Sequence, residues 1–194
     1  NRLLPSGGAC PRRRPGCMSM KAERTEAKKA PMGNETGKTR MNGIYVLVQC
    51  TWGALQTLLG LAVFALHVKE RHFRYHGAVV TQWKCRSSVS LGLFVFVTDR
   101  PYFAEKFKGE IPVSELAARL VVHEYGHTLQ SLMLGPLYLP VIGVSSTVWG
   151  FLPRLARRRR ERGISYFAFF TERWANRLGE LATKERSMGQ LVID

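Results

Sequence analysis

Two uncharged runs, two alternating stretches and one helix apolar on every side organise this sequence. Ile44–Leu66 holds 23 residues without a charge. As one helix it would reach ~35 Å, against a bilayer hydrocarbon core of ~30 Å. The run therefore predicts a single transmembrane helix, with Tyr45 and Trp52 suited to its interfacial end. Its rival is a buried helix of a soluble protein. Leu137–Leu152 is shorter, at 16 residues, and carries Pro140, Gly143 and the polar triplet Ser145-Ser146-Thr147. It reads as a re-entrant, surface-lying or core segment rather than a span. Between the two runs, Gly77–Cys85 and Val89–Thr98 flank Arg86-Ser87-Ser88 and predict a β-hairpin. Simple alternation puts Val89, Leu91, Leu93, Val95 and Val97 on one face of the second strand, with Ser90, Gly92, Phe94 and Phe96 on the other.

The next helix, Glu115 to Met133 with Ser114 as its N-cap, distributes Leu116, Leu120, Val121, Val122, Tyr125, Leu129 and Leu132 around its whole circumference. That pattern marks a central, buried helix. The predicted organisation is a basic lead-in over 1–41, a transmembrane anchor over 42–67 and an α+β domain over 68–194. Residues 1–17, rich in Gly, Pro, Arg and Cys, read as upstream sequence, with Met18 or Met20 as the natural start.

Charge sharpens this picture. The chain of 194 residues has 29 Lys+Arg against 14 Asp+Glu, a formal net charge of +15, yet 45% of it is hydrophobic. It is thus no disordered polycation. Four cysteines without a CxxC pair exclude a disulfide scaffold or zinc ribbon. The excess is concentrated in Arg154–Arg162, which holds six arginines and one glutamate. This run reads either as a solvated basic loop or as a contact with anionic headgroups of the cytoplasmic leaflet. Basic residues on the two sides of Ile44–Leu66 balance, so the arginine run tips the expected active site to the cytoplasmic side of a cell membrane. Helix-turn-helix, aromatic RNA-binding and paired-cysteine signals are missing from the sequence, which argues against a nucleic-acid groove.

The chemistry lies in His123-Glu124-Tyr125-Gly126-His127. Two histidines at i and i+4 share a helix face and can reach one metal, and Glu124 beside them can act as general base toward an activated water. Gly126, costly in mid-helix, predicts a close neighbour. Zinc needs a third protein ligand with one position left open. His67, His72 and His76 are the other histidines, and His72 and His76 read as interfacial or solvated. The stronger candidate is Glu172, on a helix capped by Thr171 and running to about Lys184, with Asn176 one turn on to orient a ligand histidine. Glu172 also reads as an ordinary first-turn acid complementing the helix dipole.

HEYGH followed by a distal TERWAN helix resembles the gluzincin type of HExxH zinc metallopeptidase. The longer pattern HEYGHTLQS…GPLYLPVIG…TERWAN is similar to a group of bacterial membrane-associated proteins. The resemblance implies a zincin-like catalytic domain over about Gly77–Leu181. In it, His123, His127 and Glu172 are zinc ligands, Glu124 is the catalytic base, and a strand edge such as Val89–Thr98 is free to pair with an extended peptide. Asn176 stands where many gluzincins have Asp. No motif marks a transition-state stabiliser; Tyr102 and Tyr166 are the candidates considered. The expectation is a membrane-anchored zinc endopeptidase acting on a peptide or protein. Its alternatives are a non-catalytic membrane protein with a structural metal and a basic nucleic-acid-binding module. One geometric condition follows: if Leu137–Leu152 crossed the bilayer, Glu172 would lie on the far side from His127.

Overall fold

A computed structural model describes residues 43–107 and 109–193. The lead-in expected over 1–41 lies outside the described residues. Among the described residues, six α-helices and a four-stranded mixed sheet make an α+β fold.

The uncharged run at the start is two helices, α1 (Gly43–Thr51) and α2 (Ala54–Leu66), which meet at 98°. No single helix among the described residues is long and apolar enough to cross a membrane, so the expected straight anchor is corrected. The break falls at Trp52-Gly53. The Gly53 amide reaches back to Val48 O (3.0 Å), and a Cβ at Gly53 would press on the Gln49 side chain. Gln49 and Gln56 turn inward to Thr128 O, Ser131 Oγ and Gly135 O, and the Thr57 hydroxyl donates to Gln49 O across the break (2.7 Å).

The sheet comprises β1 (Arg71–Tyr75), β2 (Ala78–Trp83), β3 (Val89–Leu91) and β4 (Phe94–Thr98), in the order β1-β2-β4-β3. The expected hairpin between Gly77–Cys85 and Val89–Thr98 is not formed. Instead β1 and β2 pair antiparallel about His76-Gly77, β3 and β4 pair antiparallel about Gly92-Leu93, and β2 lies parallel to β4. Gly92 adopts φ +60°, and Thr57 lies where its Cβ would stand, so only glycine closes this turn. The turn resets the side-chain alternation. Ser90 pairs with Val95 and shares its face, whereas simple alternation set the two apart. β4 is buried throughout: Val95 and Val97 join the core with Leu116 and Leu120, while Phe94 packs on Phe64 of α2 with ring centroids 5.3 Å apart.

The central helix α3 (Val113–Leu134) begins one residue before the expected Ser114 cap, with Pro112 in the N-cap position. From Leu116 through Thr128 almost every side chain is buried, as its apolar circumference requires. Gly135, at φ +52°, ends it with the Trp52 ring against its Cα, so a side chain there would have no room. The chain then passes through a short 3-10 turn (Gly135–Leu137), a π-helical turn (Leu139–Gly143) and α4 (Val144–Phe151), bending by 116° against α3. Leu137–Leu152 is therefore broken and folds back. The arginine run is a helix, α5 (Pro153–Arg162), ended by Gly163 in the left-handed conformation. The last helix, α6 (Phe170–Thr183), starts one residue ahead of Thr171. It packs on α3 so closely that a Cβ on Gly126 would strike Ala175 O, and one on Gly179 would strike Val122 O. The close neighbour expected at Gly126 is thus the backbone of α6.

Candidate metal centre

The paired glycines let α3 and α6 approach, and this brings Glu172 onto two histidines 45 and 49 positions before it in the chain. His123 and His127 project from one face of α3 as the i, i+4 spacing dictates. Glu172, from the first turn of α6, meets both: its Oε2 lies 3.2 Å from His123 Nε2 and 3.4 Å from His127 Nε2. All three ligand atoms lie within 4.8 Å of one another, and all three residues are buried. Two ligand atoms on a tetrahedral ion with bonds of about 2.0–2.1 Å stand ~3.3 Å apart, so the Glu172 distances match shared coordination.

The tautomers point the same way. His123 Nδ1 is 2.9 Å from Asn176 Oδ1, and His127 Nδ1 is 2.7 Å from Gln130 Oε1. An amide oxygen only accepts, so both Nδ1 atoms carry hydrogens and both Nε2 atoms are left to face Glu172. Gln130 is held in turn by its Nε2, which donates to Thr171 O (2.8 Å). Thr171 is not a cap; its hydroxyl bridges Ser146 Oγ (2.8 Å) and Glu172 Oε1 (3.3 Å). Phe167 closes the apolar side, its ring edge-on to His123 at 4.9 Å. This arrangement fits a cation: buried His123, His127 and Glu172 can hold a metal ion.

The three groups also shift one another's titration. Burial alone would push the Glu172 carboxyl up, but the His127 and His123 imidazoles outweigh it and hold the carboxyl well below the usual carboxylate range. Burial alone would lower His127, yet the Glu172 charge and hydrogen bond push it up to about 9. The two shifts describe one interaction, in which a proton occupies the place of a cation.

Glu124 leaves α3 toward β3. Ser90 Oγ lies 2.7 Å from both Glu124 Oε2 and Glu124 O. The hydroxyl has one proton to give, so it fixes the carboxylate against its own backbone. Ser90 is itself held through its carbonyl, which accepts from Tyr138 OH (3.0 Å). Glu124, His123, His127 and Glu172 all line one cavity of about 890 Å³, which also takes in Tyr102, Tyr138 and Tyr166. Burial, reinforced by the Glu124 and Glu172 charges, raises the Tyr138 and Tyr166 hydroxyls well above their ordinary value, so both remain proton donors.

The structure thus brings together His123, Glu124, His127, Glu172 and Asn176. His72 and His76 stand apart: His72 bonds Thr81 Oγ1 (3.0 Å) and Val68 O (3.0 Å), and His76 forms the β1–β2 turn. Ser90, Gln130 and Tyr138 were missed in the sequence. Only Gln130 left a trace there, as an amide three residues after His127 on the same helix. Arg159 departs from the reading of its run. It is buried, donating to Trp149 O, with its guanidinium 4.9 Å above the Trp149 ring and 5.7 Å from that of Tyr166. One arginine of the six therefore props the cavity wall instead of facing solvent.

No family model, curated protein or solved structure matches the chain.

Proposed function

We propose that the chain is a zinc-dependent peptidase of gluzincin type. The observation that supports this most is the convergence of His123, His127 and Glu172 within 4.8 Å, with Glu124 opening into the same cavity. A structural zinc site closes with four protein ligands, whereas three buried ligands beside a large cavity suit a catalytic one. Zinc held there supplies Lewis acidity, which makes water acidic near neutral pH and polarises a carbonyl.

The chain's own residues supply the rest. Asn176 and Gln130 keep both imidazoles in one tautomer. Ser90 positions the Glu124 carboxylate, which takes the proton of an attacking water and delivers it to the departing amine. The neutral hydroxyl of Tyr166 is the best placed of the tyrosines to donate to the oxyanion as it develops. Tyr102, half exposed at the cavity wall, is the weaker candidate. The volume of about 890 Å³ suits several residues of a peptide.

Metal analysis of the purified full chain tests the reading. About one zinc per chain is expected, lost in His123→Ala and His127→Ala. Glu124→Gln should keep the metal and lose peptide hydrolysis, compared as cleavage products in a proteome digest. Full activity in Glu124→Gln, or a chain that binds no zinc, overturns it.

A further inference from the structure

The outward face of α1 and α2 has its polarity reversed. Gln49 and Gln56 are both 0% exposed, whereas Leu47, Leu58 and Leu66 are 62, 63 and 82% exposed. A helix on a water-facing surface places these residues the other way round. The polar side chains are not idle inside. Gln49 Nε2 donates to Thr128 O (2.9 Å), and Ser131 Oγ donates to Gln49 Oε1 (3.0 Å). Gln56 Nε2 reaches Ser131 Oγ (2.8 Å) and Gly135 O (3.0 Å). All of these partners lie on the C-terminal half of α3 or just after it. The polar residues of the uncharged run thus clamp it to the helix that carries the histidines.

The outer surface shows what covers it. Residues 41–68 contain no Asp, Glu, Lys or Arg. The one hydroxyl exposed on the two helices, on Thr51, folds back to donate to Leu47 O at 2.7 Å. A protein partner would expect hydrogen bonds across the contact, and the two helices offer no free polar side chain outward. Hydrocarbon asks for the opposite: every polar group satisfied from within. Exposed Lys69 and Arg71 follow immediately, at the level where anionic headgroups would meet them. Neither helix is long enough to cross. With 9 and 13 residues they reach ~14 and ~20 Å, and the 98° bend prevents them from adding.

We infer that the α1–α2 pair beds its outer face into one leaflet of an anionic membrane, lying at the headgroup boundary without spanning it. Its inner polar face holds α3 against the lipid. This attachment does not depend on the metal centre.

Flotation of the full chain with vesicles tests it. The chain should float with phosphatidylcholine vesicles and remain bound in molar salt, because apolar burial is not screened. Adding phosphatidylglycerol should tighten binding. Leu58→Glu with Leu61→Glu, two outward positions, should weaken flotation about tenfold or more with an unchanged circular dichroism spectrum. Cys50 and Cys85, both exposed, supply a readout that needs no change to that face. In a Cys10→Ser, Cys17→Ser background, vesicles should shield Cys50 from a membrane-impermeant maleimide and leave Cys85 reactive. Flotation confined to phosphatidylglycerol vesicles and abolished by salt overturns the inference. So does Cys50 labelling unchanged by vesicles, or a lipid-free dimer in which Cys50 is already shielded.

Discussion

Two helix pairs in this protein bury polar residues, for opposite reasons. In α3 and α6 His123, His127 and Glu172 are ionisable and converge on one point, and a cation or a proton shared with the carboxylate offsets the cost of burying them. In α1 and α2 the buried polar groups are neutral, and the Gln49 and Gln56 amide nitrogens and the Thr57 hydroxyl each donate to a fixed partner, so no charge has to be offset. The first pair is a site. The second clamps the uncharged run to α3 and leaves its apolar side outward. Buried polarity alone therefore identifies neither; what matters is whether its hydrogen-bond and charge requirements are already met.

The largest expected effect strikes the first pair. Glu124→Gln removes the proton acceptor and should lower peptide hydrolysis by ~10²–10⁴-fold, with metal content unchanged. Steady-state kinetics beside metal analysis separates this from loss of the ion. Gly126→Val comes next. The added side chain meets the Ala175 backbone, which cannot move without parting α3 from α6. A destabilisation of about 3 kcal/mol is expected by denaturant titration, together with loss of metal binding. The same change at Gly43, which has nothing within 4 Å, should leave both intact.

Removal of the metal exposes the proton that replaces it. The folded-state pKa of His127 is raised to about 9, so its contribution to stability is full below its ordinary value near 6.5 and fades as pH rises through 9. The carboxyl of Glu172 is depressed, so its contribution is present above its ordinary value near 4.5 and is lost as pH falls further. Chelated protein should be most stable between about pH 4.5 and 6.5, and clearly weaker at pH 9.5. Denaturant midpoints across that range, with and without zinc, measure this. The zinc-loaded chain should lose less on the alkaline side, since metal and proton compete for the same atoms.

Smaller effects test the supports. Asn176→Ala frees the His123 ring and should weaken metal affinity by ~10–100-fold, measured by competition with a chromogenic chelator. Asn176→Asp should instead tighten it, because a carboxylate polarises the ring more strongly. Gln56→Leu touches only the second pair. It removes the amide that donates to Ser131 Oγ and Gly135 O and should cost about 1–2 kcal/mol in stability. Zinc stoichiometry should stay near one. If Gln56→Leu emptied the metal site, the two pairs would not be separable in the way described.

Local spacing carried the centre of the molecule. The i, i+4 histidines, the glutamate between them and the apolar circumference of α3 are properties of one helix, so a linear pattern suffices to read them. Glu172 and Asn176, separated by one turn of α6, are legible for the same reason. The strands are less so. Gly92 turns a run that reads as one strand into two, and the change of partner that makes β2 parallel to β4 leaves no mark in local alternation. Ser90 illustrates the consequence. Alternation sets it on the face of Phe94 and Phe96, and only the turn puts it on the Val95 face and against Glu124.

The sequence by itself determined which side chains could bind a metal and that residues 41–68 would shun charge, because both are written in residue type and helical period. Only the tertiary structure decided that the uncharged run bends, that Ser90 and Gln130 hold the Glu124 and His127 side chains, and that Arg159 serves the cavity wall. The physical reason is the range of the interactions. Periodicity and propensity act over a few neighbours, whereas the amide of Gln49 bonds a carbonyl 79 positions away and Glu172 meets histidines on another helix. Those contacts exist only once two glycines have let α3 and α6 close.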